Sequence, residues 1–137
     1  MNYLLDTNVC SAVINGTSES VRRRFATTRR FGHDIWLSPI VVHELWFGVA
    51  CSKRRSENSA RLRDFLVTVG NILELDADDA RIGAEIRAAL ASAGTPIGPY
   101  DLLIGAQAVA RGFTLVTANA REYARIPGLA WEDWSAT

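Results

Sequence analysis

The chain has 137 residues, 48% of them hydrophobic, and its 15 acidic side chains balance 15 basic ones. This length fits one domain with one core, so we treat residues 1–137 as a single domain. Because no apolar run approaches the roughly 18 residues that span a bilayer, and no basic region opens the chain as in a signal peptide, the sequence predicts a soluble, cytoplasmic protein with no membrane partner.

The first predicted element is a short apolar strand that ends at polar residues. Residues 2–5 form the strand, and Asp6, Thr7 and Asn8 follow it directly. A carboxylate at the carboxyl end of a strand lies where open α/β proteins bind ligands. Asp6 can equally cap a helix that begins at Thr7, because an aspartate accepts hydrogen bonds from free backbone N–H groups there. This stretch alone favours neither role.

Three helices and a strand are predicted to follow. In chain order they are a short helix at 9–14, an amphipathic helix at 18–30, a strand at 35–37 and a helix from 39 to about 50. In the last of these, Glu44 projects from a face with apolar neighbours. A carboxylate there is costly unless it pairs with a base or binds a metal, so an ion pair with an arginine and a metal site are both open.

The second half of the chain continues the alternation of helices and strands. We predict helices at 56–69, 76–93 and 99–111, and strands at 72–75, 113–117 and 129–131. Asp101 falls in the first turn of the 99–111 helix, where the helix dipole alone explains an acid. Its carboxylate also points toward whatever cleft that end of the helix faces. Thr117 and Asn119 end the 113–117 strand much as Asp6 ends the first.

This alternation predicts an α/β fold with a short, mainly parallel central sheet flanked by helices. Parallel strands end at one edge of a sheet, so Asp6 and Asn119 are expected to meet there, with Glu44 and Asp101 arriving from neighbouring helices. Such dispersed oxygen donors suit hard ions such as Mg²⁺ or Mn²⁺. A bound ion of this kind can activate water to hydrolyse a phosphodiester, which leaves 5′-phosphate and 3′-hydroxyl ends.

Basic side chains are concentrated in the first half of the chain. Residues 1–64 carry ten basic and six acidic side chains, whereas residues 65–137 carry five and nine. Fourteen of the 15 bases are arginine, which suits phosphate contact, but solvated helix faces are the simpler explanation of any one cluster. Cys10 and Cys51 have no metal-ligand spacing and are expected to be reduced core residues.

An ordered set of short motifs resembles a PIN domain of the VapC toxin family, and together they cover nearly the whole chain. The motifs are LLDTN at 4–8, HEL at 43–45 with Gly48, GPYDLLIGA at 98–106, LVTAN at 115–119, REY at 121–123 and RIPGL at 125–129. Each motif alone is weak, and the ordered set is specific. The resemblance implies a PIN-like three-layer fold and a Mg²⁺-dependent endoribonuclease, the toxin of a bacterial type II toxin–antitoxin pair, with Mn²⁺ as a substitute ion.

The resemblance also implies roles for particular residues. Asp6, Glu44 and Asp101 match the acidic catalytic and metal-binding positions of the family. Asn119 stands where many PIN domains have a fourth acid, and an amide supplies an oxygen but no charge. We therefore expect one tightly bound ion, with any second ion weak or dependent on substrate.

Several further residues are candidates for supporting roles. Thr7 and Asn8 follow Asp6 directly, and Thr117 and Glu122 lie on either side of Asn119. Glu122 supplies the missing charge if a turn brings it inward, although a surface acid near Arg121 and Arg125 is the interpretation that its neighbours favour. The basic residues hypothesised to flank the acidic cleft and hold RNA phosphates are Arg22, Arg23, Arg24, Arg29, Arg30, Lys53, Arg54 and Arg55.

The implied partners are an RNA substrate, a second copy of the chain in a homodimer, and an antitoxin that covers the acidic cleft, with DNA bound only through that antitoxin. Two other functions stay open. A PIN-like module that binds RNA or protein without cutting is motivated by Asn119, but three acids argue against it. A phosphatase using Asp6 as a covalent nucleophile is disfavoured because the sequence has one lysine, Lys53, and no second acid beside Asp6.

Overall fold

Residues 1–136, the part of the chain that the computed structural model describes, form seven helices and a four-stranded sheet. The strands are β1 (Asn2–Leu5), β2 (Asp34–Trp36), β3 (Thr114–Val116) and β4 (Trp131–Glu132). The helices are α1 (Thr7–Asn15), α2 (Glu19–Arg30), α3 (Pro39–Ala50), α4 (Arg55–Val69), α5 (Ala77–Ser92), α6 (Pro99–Arg111) and α7 (Ala120–Tyr123). The predicted α/β class and parallel sheet are confirmed.

The order of the strands sets where a site can form. All neighbouring strands are parallel, in the order β2-β1-β3-β4. The chain leaves β1 toward β2 on one side and leaves β3 toward β4 on the other. Because parallel crossovers are right-handed, connections in opposite directions place helices on both faces, which gives three layers. The reversal between β1 and β3 makes a crevice at their carboxyl ends, where open parallel sheets bind ligands.

Local capping explains why α2, α3 and α5 begin within one residue of their predicted starts. The Ser18 side chain accepts a hydrogen bond from the third residue of α2, and the Ser38 side chain caps α3 just before Pro39. Asp76 and Asp79 exchange hydrogen bonds between side chain and backbone in a capping box at the start of α5. These residues satisfy the free N–H groups of each first turn, so the helix starts are encoded locally.

The core lies on the two inner strands. Leu4, Leu5, Leu115 and Val116 are fully buried, as expected for a parallel sheet covered on both faces. α6 packs unusually close to the segment after α7. A Cβ atom at Gly105 would lie only 2.5 Å from the Cδ1 atom of Ile126. This close approach brings the start of α6 and the residues of α7 to the same crevice.

The predicted strand at 72–75 is wrong. Only an isolated bridge joins residue 72 to Leu37. The Gln107 side chain donates hydrogen bonds to the carbonyls of Leu73 and Glu74, at 2.9 and 3.3 Å, and Arg111 also donates to Glu74. Side chains of α6 therefore occupy the carbonyls that a longer strand needs for its ladder.

Two smaller expectations need correction. The edge strand predicted at 129–131 is β4, one to two residues later. Cys10 is a free thiol in the core, but Cys51 is a free thiol at the exposed end of α3 and is not a core residue. Within residues 1–136, no helix has the length and apolar character needed to cross a membrane.

Candidate active site

Asp6 lies at the crevice between β1 and β3 and caps α1 at the same time. Its Oδ1 atom accepts a hydrogen bond from the backbone N–H of Thr7 at 2.8 Å, and its Oδ2 atom accepts one from the Thr117 hydroxyl at 2.9 Å. Only 6% of Asp6 is exposed. The two roles that the sequence left open are thus filled together, because the cap fixes a buried carboxylate at the carboxyl ends of both inner strands.

Glu44 faces the same crevice from α3, which packs against α1. The hydroxyl of Thr7 donates a hydrogen bond to its Oε1 atom at 2.8 Å. Among residues 1–136, no arginine or lysine forms an ion pair with Glu44, so the alternative of a simple ion pair is not what the structure shows. Thr7 therefore connects the first two carboxylates, because its backbone N–H donates to Asp6 and its hydroxyl donates to Glu44.

Asp101 and Glu122 complete the group of carboxylates. Asp101 lies in the first turn of α6, as predicted, and Glu122 lies on α7. Burial, the Asp6 charge and a close contact with the Glu122 carboxylate raise the pKa of Asp101 from 3.8 to about 6. The Nδ2 atom of Asn119 donates to Glu122 at 3.2 Å and orients it inward. Glu122 is therefore turned toward the acids, contrary to the surface position that its neighbours favoured.

The carboxylate cluster, meaning Asp6, Glu44, Asp101 and Glu122, carries uncompensated negative charge. Burial raises the pKa of Asp6 despite its hydrogen bonds from Thr117 and Thr7, and the charges of Glu44 and Glu122 raise it further. None of the ion pairs found in residues 1–136 includes a member of this cluster. Four acids held together without a basic partner attract a cation.

One buried hydroxyl faces the cluster. The Tyr123 side chain is fully buried, and its hydroxyl lies against the Asp101 carboxylate. Burial raises its pKa well above the usual value, and the charges of Asp6 and Asp101 raise it further. The hydroxyl therefore remains a protonated potential donor beside the acids.

The donor set fits a hard divalent cation, but the side chains are not preassembled around one point. Carboxylate oxygens with a nearby amide oxygen are the ligands that Mg²⁺ and Mn²⁺ prefer. In the described part of the chain, no three His, Cys, Asp or Glu side chains already form a group that could hold a metal. The Thr7 and Thr117 hydroxyls each bond to one carboxylate oxygen, which leaves that oxygen a second lone pair for an ion.

The remaining polar candidates divide into two groups. Thr7 and Thr117 contact the carboxylate cluster directly, and the Thr117 hydroxyl also accepts a hydrogen bond from the backbone N–H of Asn119 at 2.9 Å. Asn8 is exposed on the first turn of α1, and its side chain makes no hydrogen bond with any residue in 1–136. The Asn119 side chain donates to Glu122 through its Nδ2 atom.

Two of the hypothesised RNA-binding bases lie at opposite edges of the sheet. Arg24 pairs with Glu132 at 2.8 Å, beside the outer strand of the sheet. Arg29 donates to the carbonyl of Thr68 where α4 ends, close to the start of β2 and so at the opposite edge of the sheet. The other arginines on α2 and the bases at 53–55 are also exposed. A basic residue that does line a cavity with Glu44 is Arg61, which sequence reasoning did not select.

A three-layer fold with acids at the reversal of a parallel sheet defines the chain as a PIN domain, and the PIN domain family model matches residues 3–129. Two tRNA(fMet)-specific endonucleases VapC are similar over 98% of this chain: that of Shigella flexneri is 36% identical over 99% of its own length, and that of Salmonella typhimurium is 38% identical over 98%. The chain belongs to the VapC family of PIN-domain ribonucleases.

Solved structures agree with this assignment. The chain resembles one in VapBC2 from Rickettsia felis bound to a DNA fragment from its promoter, with a TM-score of 0.91, 36% identity and coverage of 98% and 99% of the two chains. It also resembles one in DNA-bound VapBC from Salmonella typhimurium, with a TM-score of 0.89, 37% identity and coverage of 98% of both. The predicted resemblance to VapC is therefore confirmed.

Proposed function

We propose that this single-domain ribonuclease is a toxin that cuts RNA with Mg²⁺ held by Asp6, Glu44 and Asp101. The observation that carries the proposal is the uncompensated carboxylate cluster at the reversal of the sheet, where the pKa of Asp101 rises to about 6. PIN-domain nucleases generally use a divalent metal, and the donor chemistry here favours a hard ion. Glu122 lies close enough to contribute charge to the same ion.

An ion held by Asp6, Glu44 and Asp101 would supply an activated water and would neutralise charge on the phosphate and the leaving oxygen. The protein's own part is to hold the carboxylates in place. The Thr7 hydroxyl donates to one oxygen of Glu44, and the Thr117 hydroxyl donates to one oxygen of Asp6. The Asn119 amide donates to Glu122. These hydrogen bonds restrict how the carboxylates can move, which limits the reorganisation that ion binding and reaction require.

The partners follow from the relatives. Two relatives are named for action on tRNA(fMet), so we take tRNA as the first substrate class to test. The VapBC structures are complexes of toxin and antitoxin, two of them with DNA, which supports an antitoxin that covers the carboxylate cluster and mediates DNA binding. We also propose a homodimer in the bacterial cytoplasm, and light scattering of the purified protein tests the dimer.

The test incubates purified protein with total cellular RNA in Mg²⁺ or EDTA, beside Asp6→Asn and a matched control. Asp78→Asn removes an equivalent charge from the exposed first turn of α5, away from the cluster. We expect discrete cuts with 5′-phosphate ends that disappear in EDTA and in Asp6→Asn but persist in Asp78→Asn. Equal cutting by Asp6→Asn overturns the site assignment, and RNA binding without any cut supports the non-cutting module.

A further inference from the structure

A small cavity adjoins the carboxylate cluster and has no role in the chemistry described above. It occupies about 230 Å³ between α1, α3 and α4. Aliphatic side chains form its floor. Its polar lining consists of Thr7, Ser11, Asn15, Glu44, Asn58 and Arg61. Because Thr7 and Glu44 belong to both places, the cavity opens directly beside the carboxylates.

Arg61 is an exposed side chain at the edge of this cavity, and one hydrogen bond anchors it. One of its guanidinium N–H groups donates to the carbonyl of Ile14 at 2.7 Å, near the end of α1. A guanidinium has five N–H donors, so others remain for a ligand. Arg61 forms no ion pair with any residue in 1–136, and it is therefore a charged donor held in place but not neutralised.

Asn58 lies one turn before Arg61 on α4 and therefore faces the same way. Asn58 is half-buried, and its side-chain amide makes no hydrogen bond with any other residue of the described chain. An amide offers both a carbonyl acceptor and N–H donors. Asn58 and Arg61 together thus present one acceptor and several donors at the rim of a cavity with an apolar floor.

We infer that this cavity is a nucleobase subsite, which binds the base of the nucleotide next to the bond that is cut. The inference rests on the proposed function. Proteins read single-stranded RNA by stacking unstacked bases on aromatic rings or arginine planes and by bonding the base edges with polar side chains. In this cavity the plane is the Arg61 guanidinium. A phosphate fits less well, because Glu44 repels it and Asn58 carries no charge. A volume of about 230 Å³ accommodates one planar ring system.

The test compares the sequences flanking the cuts made by four proteins in total cellular RNA, read by sequencing the new 5′ ends. The proteins are the wild type, Arg61→Ala, Asn58→Ala and the control Arg63→Ala. Arg63 has the same charge on the same helix, but it lies over the ring of Trp46, 5.5 Å from its centroid, and does not line the cavity. Asn58→Ala keeps the test informative if Arg61→Ala loosens the contact between α4 and α1.

We expect the wild type to prefer particular bases at a position adjacent to the cut. The two cavity variants should reduce that preference by about tenfold, the discrimination that one good side-chain contact to a base provides, and Arg63→Ala should retain it. Unchanged preference in variants that still cut overturns the subsite alone, whereas a wild type that cuts no RNA overturns the proposed function and the subsite together.

Two further results overturn the subsite. If Arg61→Ala slows cutting equally at all sequences and lowers the salt dependence of RNA binding by about one charge, Arg61 contacts phosphate and not a base. If the cavity variants keep the base preference but bind the antitoxin at least tenfold more weakly, the cavity accommodates protein. Titration of the purified antitoxin into each variant measures this second outcome.

Discussion

Replacing Asp101 by Asn is expected to stabilise the metal-free protein at neutral pH, although it removes a proposed metal ligand. Burial, the charge of Asp6 and contact with Glu122 raise the pKa of Asp101 from 3.8 to about 6. The folded protein therefore holds this proton more tightly than the unfolded chain. Stability conferred by the protonated form is present below the unfolded pKa, falls as the pH rises, and is lost above about pH 6.

The pKa difference sets the size of the effect. Two pKa units correspond to roughly 3 kcal/mol, at about 1.4 kcal/mol for each unit. Asp101 is partly exposed, so solvent screening reduces the expected gain of Asp101→Asn to about 1–2 kcal/mol. The amide removes the charge and keeps the shape. At about pH 4 the wild-type carboxyl is largely protonated as well, and the gain should shrink toward zero.

Urea unfolding followed by tryptophan fluorescence, in EDTA, measures the free energy of unfolding at about pH 7.5 and pH 4. Asp78→Asn is the matched control, because Asp78 is exposed and should show no such gain. Added Mg²⁺ should then stabilise the wild type more than Asp101→Asn, since an ion that binds only the folded state adds stability. A variant that is no more stable at neutral pH, or equally more stable at both pH values, refutes the reasoning.

Two other variants test the contacts that hold the fold and the cluster. Thr117→Val removes the buried hydroxyl that donates to Asp6 at 2.9 Å, so it should destabilise the protein by about 1–3 kcal/mol and slow RNA cleavage at least tenfold. Thr117→Ser keeps the hydroxyl and should retain both stability and activity. Unchanged urea unfolding of Thr117→Val contradicts the role of this hydrogen bond. Arg111→Ala leaves the carboxylate of Asp79, which is 1% exposed, without its charged partner. The free energy of unfolding should fall by about 3 kcal/mol, while RNA cleavage per folded molecule stays normal. A fall of less than about 1 kcal/mol contradicts the importance of this ion pair.

Much of the helical framework could be predicted because its signals are local. α3 and α6 begin at prolines that follow a serine or a glycine, and both have the predicted limits. Asp76 precedes α5 and caps it. The strand at 72–75 failed for the opposite reason, since Gln107 and Arg111 reach its carbonyls from more than 30 residues away. No local pattern reports that competition.

The three main acids could be placed near one another because parallel topology gathers strand ends at one edge. Their hydrogen-bond partners could not be predicted, since Thr117 meets Asp6 across 111 residues of sequence and Thr7 meets Glu44 across 37. The inward orientation of Glu122 could not be predicted, because α7 is a single turn of four residues and too short for a periodic pattern. Its nearest sequence neighbours suggested surface pairing.

The difference between Asp6 and Asp101 indicates which carboxylate depends most on a cation. Each oxygen of Asp6 already accepts one hydrogen bond, from the Thr7 backbone and from the Thr117 hydroxyl. A carboxylate oxygen has a second lone pair, so Asp6 can keep both bonds while it contacts an ion. Asp101 faces another carboxylate, and its pKa rises to about 6. Its negative charge is therefore the one that a bound cation stabilises most. Loss of the ion should destabilise the first turn of α6, which carries Asp101, before other parts of the site.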